Sequence, residues 1–338
     1  MGRLAVSSTR VTLPGVRRPR RLRRNAAIRS LVRETRLSPA GLIAPIFVVS
    51  GRDRREAIAS LKGHARLSPD LAAVYAVELA RLGVGGVLLF GVPDEKSPDG
   101  SGAADPKGPV PEAVRRIRDA GAALVIAADV CMCEYTSHGH CGVLRGGEVD
   151  NDATLPLLAE AAVAYADAGA DIVAPSAMMD GQVAALRSGL DAGGHTGTAI
   201  LAYVSKAASA LYGPFRDAAG STPSFGDRKA HQMDYSNGDE ALLEMHLDAD
   251  EGADILMVKP AITSLDLLAR AKARFDLPLA AYQVSGEAAM IEAAAARGWI
   301  DRKDVVLETL TAIARAGARV TITYFAEDTA RWLAEARP

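Results

Sequence analysis

Residues 129–142 read DVCMCEYTSHGHCG, and this stretch holds every cysteine of the chain: Cys131, Cys133 and Cys141 fall within eleven consecutive positions. The C-x-C-x7-C run offers three thiolates, with His138 and His140 lying between them. A disulfide closed across C-x-C would be strained, and inert buried cysteines have no reason to cluster. Structural zinc sites are closed by four protein ligands, whereas catalytic ones keep a position for water or substrate. Soft thiolates suit zinc best. The run is therefore expected to hold a zinc ion able to polarise a carbonyl or fix an amine.

Lysine usage points to a second chemistry. Of the 39 basic residues only eight are lysine, so arginine serves as the ordinary surface cation. Two of the eight, Lys206 and Lys259, close the apolar runs AILAYVSK and ILMVK. Arginine cannot replace lysine in imine formation with a ketone or aldehyde. The attacking amine must be neutral, and at an unperturbed pKa only about one lysine in 2,500 is neutral at pH 7. Burial and a second nearby cation both lower that pKa. Two lysines at one narrow mouth would do this for each other, which predicts a pair of uncharged amines and Schiff-base chemistry on two carbonyl substrates.

The elements that must position these groups repeat along the chain. Short apolar runs occur at 42–49, 85–91, 123–130, 171–176, 199–205, 255–260, 279–286 and 320–325. They are nearly continuous in apolar residues rather than alternating, as for parallel strands covered on both faces. Ala-rich segments of helical spacing, such as 155–170, separate them and close on Gly. Eight such units predict a (β/α)8 barrel. A doubly wound sheet is the alternative, but no GxGxxG or Walker A pattern opens a helix. In a barrel the chemistry gathers where strands end. Asp129, Ser176, Asp180, Lys206, Lys259, Ser285 and Tyr324 stand at those ends.

Residues 212–240 form a Gly-, Pro- and Ser-rich connection carrying Arg216, Arg228, Lys229 and Gln232, expected to be a lid over about 213–237 that clamps an anionic substrate. Residues 1–33 contain no acid and include RRPRRLRR, which predicts a basic, partly extended arm ahead of one catalytic barrel spanning 34–338; a targeting segment is the other reading. The net charge of −2 gives no reason to expect nucleic acid or a membrane surface as partner. No apolar run reaches the ~18 residues of a membrane span. With 49% hydrophobic residues and one odd-numbered thiol cluster, the chain is expected in a reducing compartment, the cytoplasm.

With these motifs assembled, the chain resembles the porphobilinogen synthase (5-aminolevulinate dehydratase) family, zinc-dependent group, over nearly its whole length. FGVP (90–93), DVCMCEYTSHGHCG, VDNDATL (149–155), APSAMMDG (174–181), SKAASALYGPFRDA (205–218), FGDRKAHQM (225–233), MVKPA (257–261) and VSGE (284–287) carry the resemblance in order. It implies condensation of two 5-aminolevulinate molecules to porphobilinogen, with loss of two waters, in tetrapyrrole (heme) synthesis. Lys259 matches the lysine that forms the imine with the substrate giving the propionate side, and Lys206 the lysine of the second substrate. Cys131, Cys133 and Cys141 match the zinc ligands, and Asp129 the acid beside them. Arg216, Arg228 and Gln232 match lid residues holding the second substrate, Ser285 and Tyr324 the pair holding the first substrate's carboxylate, and Ser176 a further site position. The family pattern also implies homo-octamers whose arms wrap neighbouring barrels. Ala177 departs from members reading APSDMMDG. In SNGDEALLE (236–244) Glu244 matches a magnesium-associated glutamate, but the arginines that accompany it elsewhere are replaced by Gly238, Asp239 and Leu243. Two competitors remain: another Schiff-base barrel lyase such as a class I aldolase, needing one lysine and no metal, and a non-enzymatic protein whose zinc is closed by His138 or His140.

Overall fold

A computed structural model describes residues 17–335. The chain divides after Arg36 into two units. The described part of the first carries a 3-10 turn (Pro19–Arg23) and a short helix (Ala26–Leu31) whose N-cap, Asn25, accepts from the Ile28 amide at 2.9 Å. Neither element buries a side chain. The arm expected over 1–33 thus has short helical turns in its described part, and residues 1–16 lie outside the described residues.

The second unit is a closed (β/α)8 barrel. Its strands are β1 (Leu42–Val49), β2 (Gly86–Val92), β3 (Val125–Val130), β4 (Ile172–Pro175), β5 (Ala199–Lys206), β6 (Ile255–Lys259), β7 (Leu279–Gln283) and β8 (Val320–Thr323). All eight pair in parallel and in sequence order, and β8 returns to β1 through Leu42↔Thr321 and Ile43↔Ile322. The apolar runs become strands because both faces are covered: every residue of β1 is buried. The helices start where their sequence says. Pro69 and Pro109 open Pro69–Arg81 and Pro109–Asp119. Asp150 caps Asn151–Asp167 by accepting from the Ala153 amide at 3.0 Å, and Asp301 caps Arg302–Ala316 through the Asp304 amide at 2.8 Å.

Three features escaped the sequence pattern. An antiparallel hairpin, Arg55–Ala57 with Ala65–Leu67, adds to β1 through Phe47↔Arg66 and Val48↔Leu67. Within the long connection after β5, Gly213–Ala218 forms a short helix. Finally, β5 and β6 are out of step once: Leu256 pairs Ala202 but Val258 pairs Ser205, so two residues of β5 oppose Met257. Beyond this bulge Lys259 and Lys206 are direct partners. Two expected strands also stop early. β7 ends at Gln283 and Ser285 opens the helix Ser285–Ala296, because the Glu287 carboxylate receives the Val284 amide and turns the chain. β8 ends at Thr323, one residue before Tyr324.

Candidate active site

The carboxyl ends of β3 to β6, with the connection after β5, enclose one cavity lined by Cys133, Glu134, Ser176, Lys206, Tyr212, Phe215, Arg228 and Lys259. Both lysines are buried, at 5% and 4% exposure, and both amines face the Tyr203 ring, at 5.7 and 5.1 Å from its centroid. Lys259 Nζ also lies 4.4 Å from Tyr282, 4.9 Å from Phe215 and 5.2 Å from Tyr212. Burial, and then the charge of Lys206, bring its amine down to about 7 against the partial opposition of Asp129, Cys133 and Glu134.

Lys206 departs from the expected pair of neutral amines. Burial pulls its ammonium down, but the charges of Cys141, Cys131 and Cys133 outweigh burial and the net direction is up. Its Nζ donates to the Ser176 carbonyl. A cation on the sulfurs would cancel their charge and remove that upward pull.

Asp129, at the end of β3, accepts from Ser176 Oγ at 2.9 Å. Burial raises its carboxyl to about 6, held there by the opposing charges of Lys206 and Lys259. The three cysteine sulfurs lie within 4.8 Å of one another, and all three residues are buried. Cys131 and Cys133 are 3.4 Å apart, and Cys133 Sγ donates to Glu134 Oε2 at 3.2 Å. Hydrogen bonds from the other two thiols bring Cys141 well down, while burial pushes Cys131 well up. Among the described residues, no histidine or carboxylate joins this donor set. His138 Nε2 instead meets the Pro98 carbonyl at 3.0 Å, and His140 Nε2 the Phe225 carbonyl at 3.2 Å. Three buried thiols this close can bind a metal ion, and among the described residues no histidine closes the set as in a purely structural site.

The residues expected in a lid divide. Arg228 is buried and donates to the carbonyls of Gly139 and Ser221, which leaves Nε without a partner; the three cysteines hold it strongly protonated against the pull of burial. Gln232 is buried with both amide atoms unpartnered, and so is Arg216 Nε. Lys229 does not join them: it is exposed, 3.9 Å from Asp227. Ser285 Oγ receives the Phe215 amide at 2.9 Å, and Tyr324 Oη meets Tyr282 Oη at 3.2 Å. Orphaned buried polar atoms gather here: apart from Thr329, all belong to Asp129, Glu134, His140, Tyr203, Ser221, His231 and the three lid residues just named. Buried polar groups are ordinarily satisfied, so their concentration marks a site built for a polar ligand. Glu244 lies elsewhere, half-buried on the helix Gly238–Asp250, raised by burial and then by Asp180, Glu240 and Glu251. Among the described residues, no three donors converge there.

Sequence reading missed the aromatic cage of Tyr203, Tyr212, Phe215 and Tyr282, and also Glu134. The signal for the cage was present: aromatics are only 5% of the chain, yet two of these four lie within β5 and β7 and the other two in the connection after β5.

Comparison with known proteins agrees with this geometry. The family model for delta-aminolevulinic acid dehydratase matches residues 16–332. The delta-aminolevulinic acid dehydratase of Synechococcus elongatus is 52% identical over 94% of this chain and 98% of its own, and that of Bacillus subtilis is 49% identical over the same shares. The crystal structure of the Toxoplasma gondii enzyme, in complex with its product porphobilinogen, superposes with a TM-score of 0.93 at 44% identity, covering 96% of this chain and 93% of that one.

Proposed function

The chain belongs to the delta-aminolevulinic acid dehydratase family and is a lyase of that activity, condensing two molecules of 5-aminolevulinate to porphobilinogen and two waters; we propose that it does so through imines on Lys259 and Lys206. The observation that carries this reading is the register pairing of the two lysines inside one buried cavity beside three thiols.

Lys259, with its pKa brought to about 7, is neutral often enough to attack the ketone of the first substrate. Loss of water gives a protonated imine, which draws electrons from the neighbouring carbon and acidifies it. Lys206 engages the second substrate in the same way. Asp129, oriented by Ser176 and raised towards neutrality, takes and returns protons at the two amines. Cys131, Cys133 and Cys141 would hold zinc, which supplies a Lewis acid beside the second substrate. Arg216, Arg228 and Gln232 bind that substrate with their unused donors, and Ser285 with Tyr324 receives the first substrate's carboxylate. The aromatic cage and lid exclude water, which would hydrolyse the imines.

Magnesium at Glu244 would lack three converging protein donors among the described residues, and no step depends on it. The same reading makes the molecule a cytoplasmic homo-octamer that recognises neither nucleic acid nor membrane. Among the described residues no helix is long and apolar enough to cross a bilayer.

Incubating the protein with 5-aminolevulinate and borohydride tests the chemistry. A stable adduct on Lys259 is expected, together with a pyrrole product that disappears on chelation and returns with zinc. A class I aldolase would give the adduct and ignore the chelator.

A further inference from the structure

The short helix Gly213–Ala218 is gripped from outside the cavity it covers. Arg66, on the second strand of the hairpin beside β1, donates from Nε to the Ala218 carbonyl and from Nη2 to the Asp217 carbonyl, both at 2.7 Å. A six-residue helix leaves its last carbonyls without intrahelical partners; one planar fork here reaches two in a row, supplying the Ala218 carbonyl and adding to the Gly220 amide that lies 3.2 Å from the Asp217 carbonyl. Glu56, on the first hairpin strand, stands 3.5 Å from Arg66 Nη1 and orients the fork. Ser60, in the hairpin's turn, donates to the Asp217 carboxylate, and Lys96 donates to the Gly220 carbonyl.

The grip controls what lies on the helix's inner side. Phe215 meets Phe90 edge-to-face at 5.0 Å and Phe47 at a tilt at 5.6 Å, and its ring is 4.9 Å from Lys259 Nζ. Arg216 follows it directly. Arg66 itself does not line the catalytic cavity. Both lysines are nearly sealed from solvent, and Phe215 of this helix is part of what covers Lys259.

We propose that Arg66 is a positioning residue that latches the lid, its fork on the Asp217 and Ala218 carbonyls setting how readily Phe215 and Arg216 lift from the two lysines. The proposal rests on the Schiff-base reading for its kinetic consequence, but the latch itself is a property of the main chain. Arginine is required because two donors must meet two carbonyls at once; lysine has the charge but not the fork.

The test uses the full-length, metal-loaded enzyme with Arg66→Gln, Arg66→Lys and Ser60→Ala. Tryptic cleavage after the exposed Lys229 reports lid opening without reference to catalysis. For Arg66→Gln, cleavage is expected to quicken at least about fivefold and KM for 5-aminolevulinate to rise about tenfold, while kcat changes less than about threefold. Arg66→Lys should fall between it and wild type, and Ser60→Ala should shift both readouts the same way by less. If Arg66→Gln fails to fold, the other two variants decide. Unchanged cleavage and a KM within about twofold of wild type overturns the latch, as does a fall in kcat and melting temperature with KM intact, which would mark Arg66 as merely structural. Absence of a borohydride adduct in wild type would instead sink the catalytic reading, and the cleavage comparison would still judge the latch.

Discussion

In the proposed mechanism Lys259 is the residue on which the chemistry turns, and its environment makes two predictions. Lys259→Ala is expected to lower kcat/KM by on the order of ten-thousand-fold and abolish the borohydride adduct, and Lys259→Arg should do no better, since a guanidinium does not form the imine. Retention of most activity by either variant would exclude the mechanism. Because burial and Lys206 lower the amine to about 7, the reactive form is lost as pH falls through that value. The single-turnover rate of adduct formation should rise from pH 6 to 8 and then flatten; a rise continuing to pH 10 would mean an unperturbed lysine. These lysines and the cysteines were legible in the sequence because the choice of type was itself unusual: lysine in an arginine-rich chain, and thiols in one loop. The upward shift of Lys206 and the contact of Glu134 with Cys133 were not, because both arise from groups far apart in sequence or from rotamers no spacing encodes.

Among the elements, main chain closes tightly on Gly286, in the first turn of Ser285–Ala296. A Cβ there would lie 2.5 Å from the Leu211 carbonyl oxygen and 2.7 Å from its Cα, atoms of main chain that cannot rotate away. Gly286→Ala should displace the turn leading to Phe215, costing roughly 1–3 kcal/mol in stability and raising KM; a melting temperature equal to wild type would refute the clash. A second prediction concerns Asp248, buried in Gly238–Asp250, whose carboxyl is pushed up to about 8 by burial and then by Glu251 and Glu244. The folded state holds a proton there that the unfolded chain releases near pH 4, so this group's contribution is intact below that pH and is lost as pH rises through about 8. Asp248→Asn should therefore raise the melting temperature at pH 8.5 and change it little at pH 4; equal effects at both would contradict the shift. The eight strands could be read from their apolar runs. The hairpin beside β1 could not, because three-residue strands are too short to show a period, and the Gly213–Ala218 helix was hidden behind glycine and proline, residues that usually break one.

For the whole molecule, the barrel and the metal loop are separable. The cysteine loop is held to the rest by contacts other than the sulfurs, such as the Ser97 amide to the Tyr135 carbonyl at 3.1 Å and the Ser224 amide to the His138 carbonyl at 3.0 Å, and most of the barrel's core is apolar side chains outside it. Chelation is accordingly expected to abolish turnover while leaving the far-ultraviolet circular dichroism unchanged; loss of helix signal would mean that the ion is structural instead. The barrel was legible as a count of eight units, but its most consequential irregularity was not. Tyr203 and Lys206 are three positions apart, an odd step that in a regular strand sends side chains to opposite faces. Both nonetheless face the mouth, because β5 carries one residue more than β6 between its paired positions. That spare residue acts as a phase shift in the pleat. Were β5 and β6 matched one residue to one from Ala202 onward, hydrophobicity and strand count would be untouched, yet Ser205 would stand opposite Lys259 and Lys206 would turn to the outside, leaving a reactor with one amine where the proposed condensation needs two.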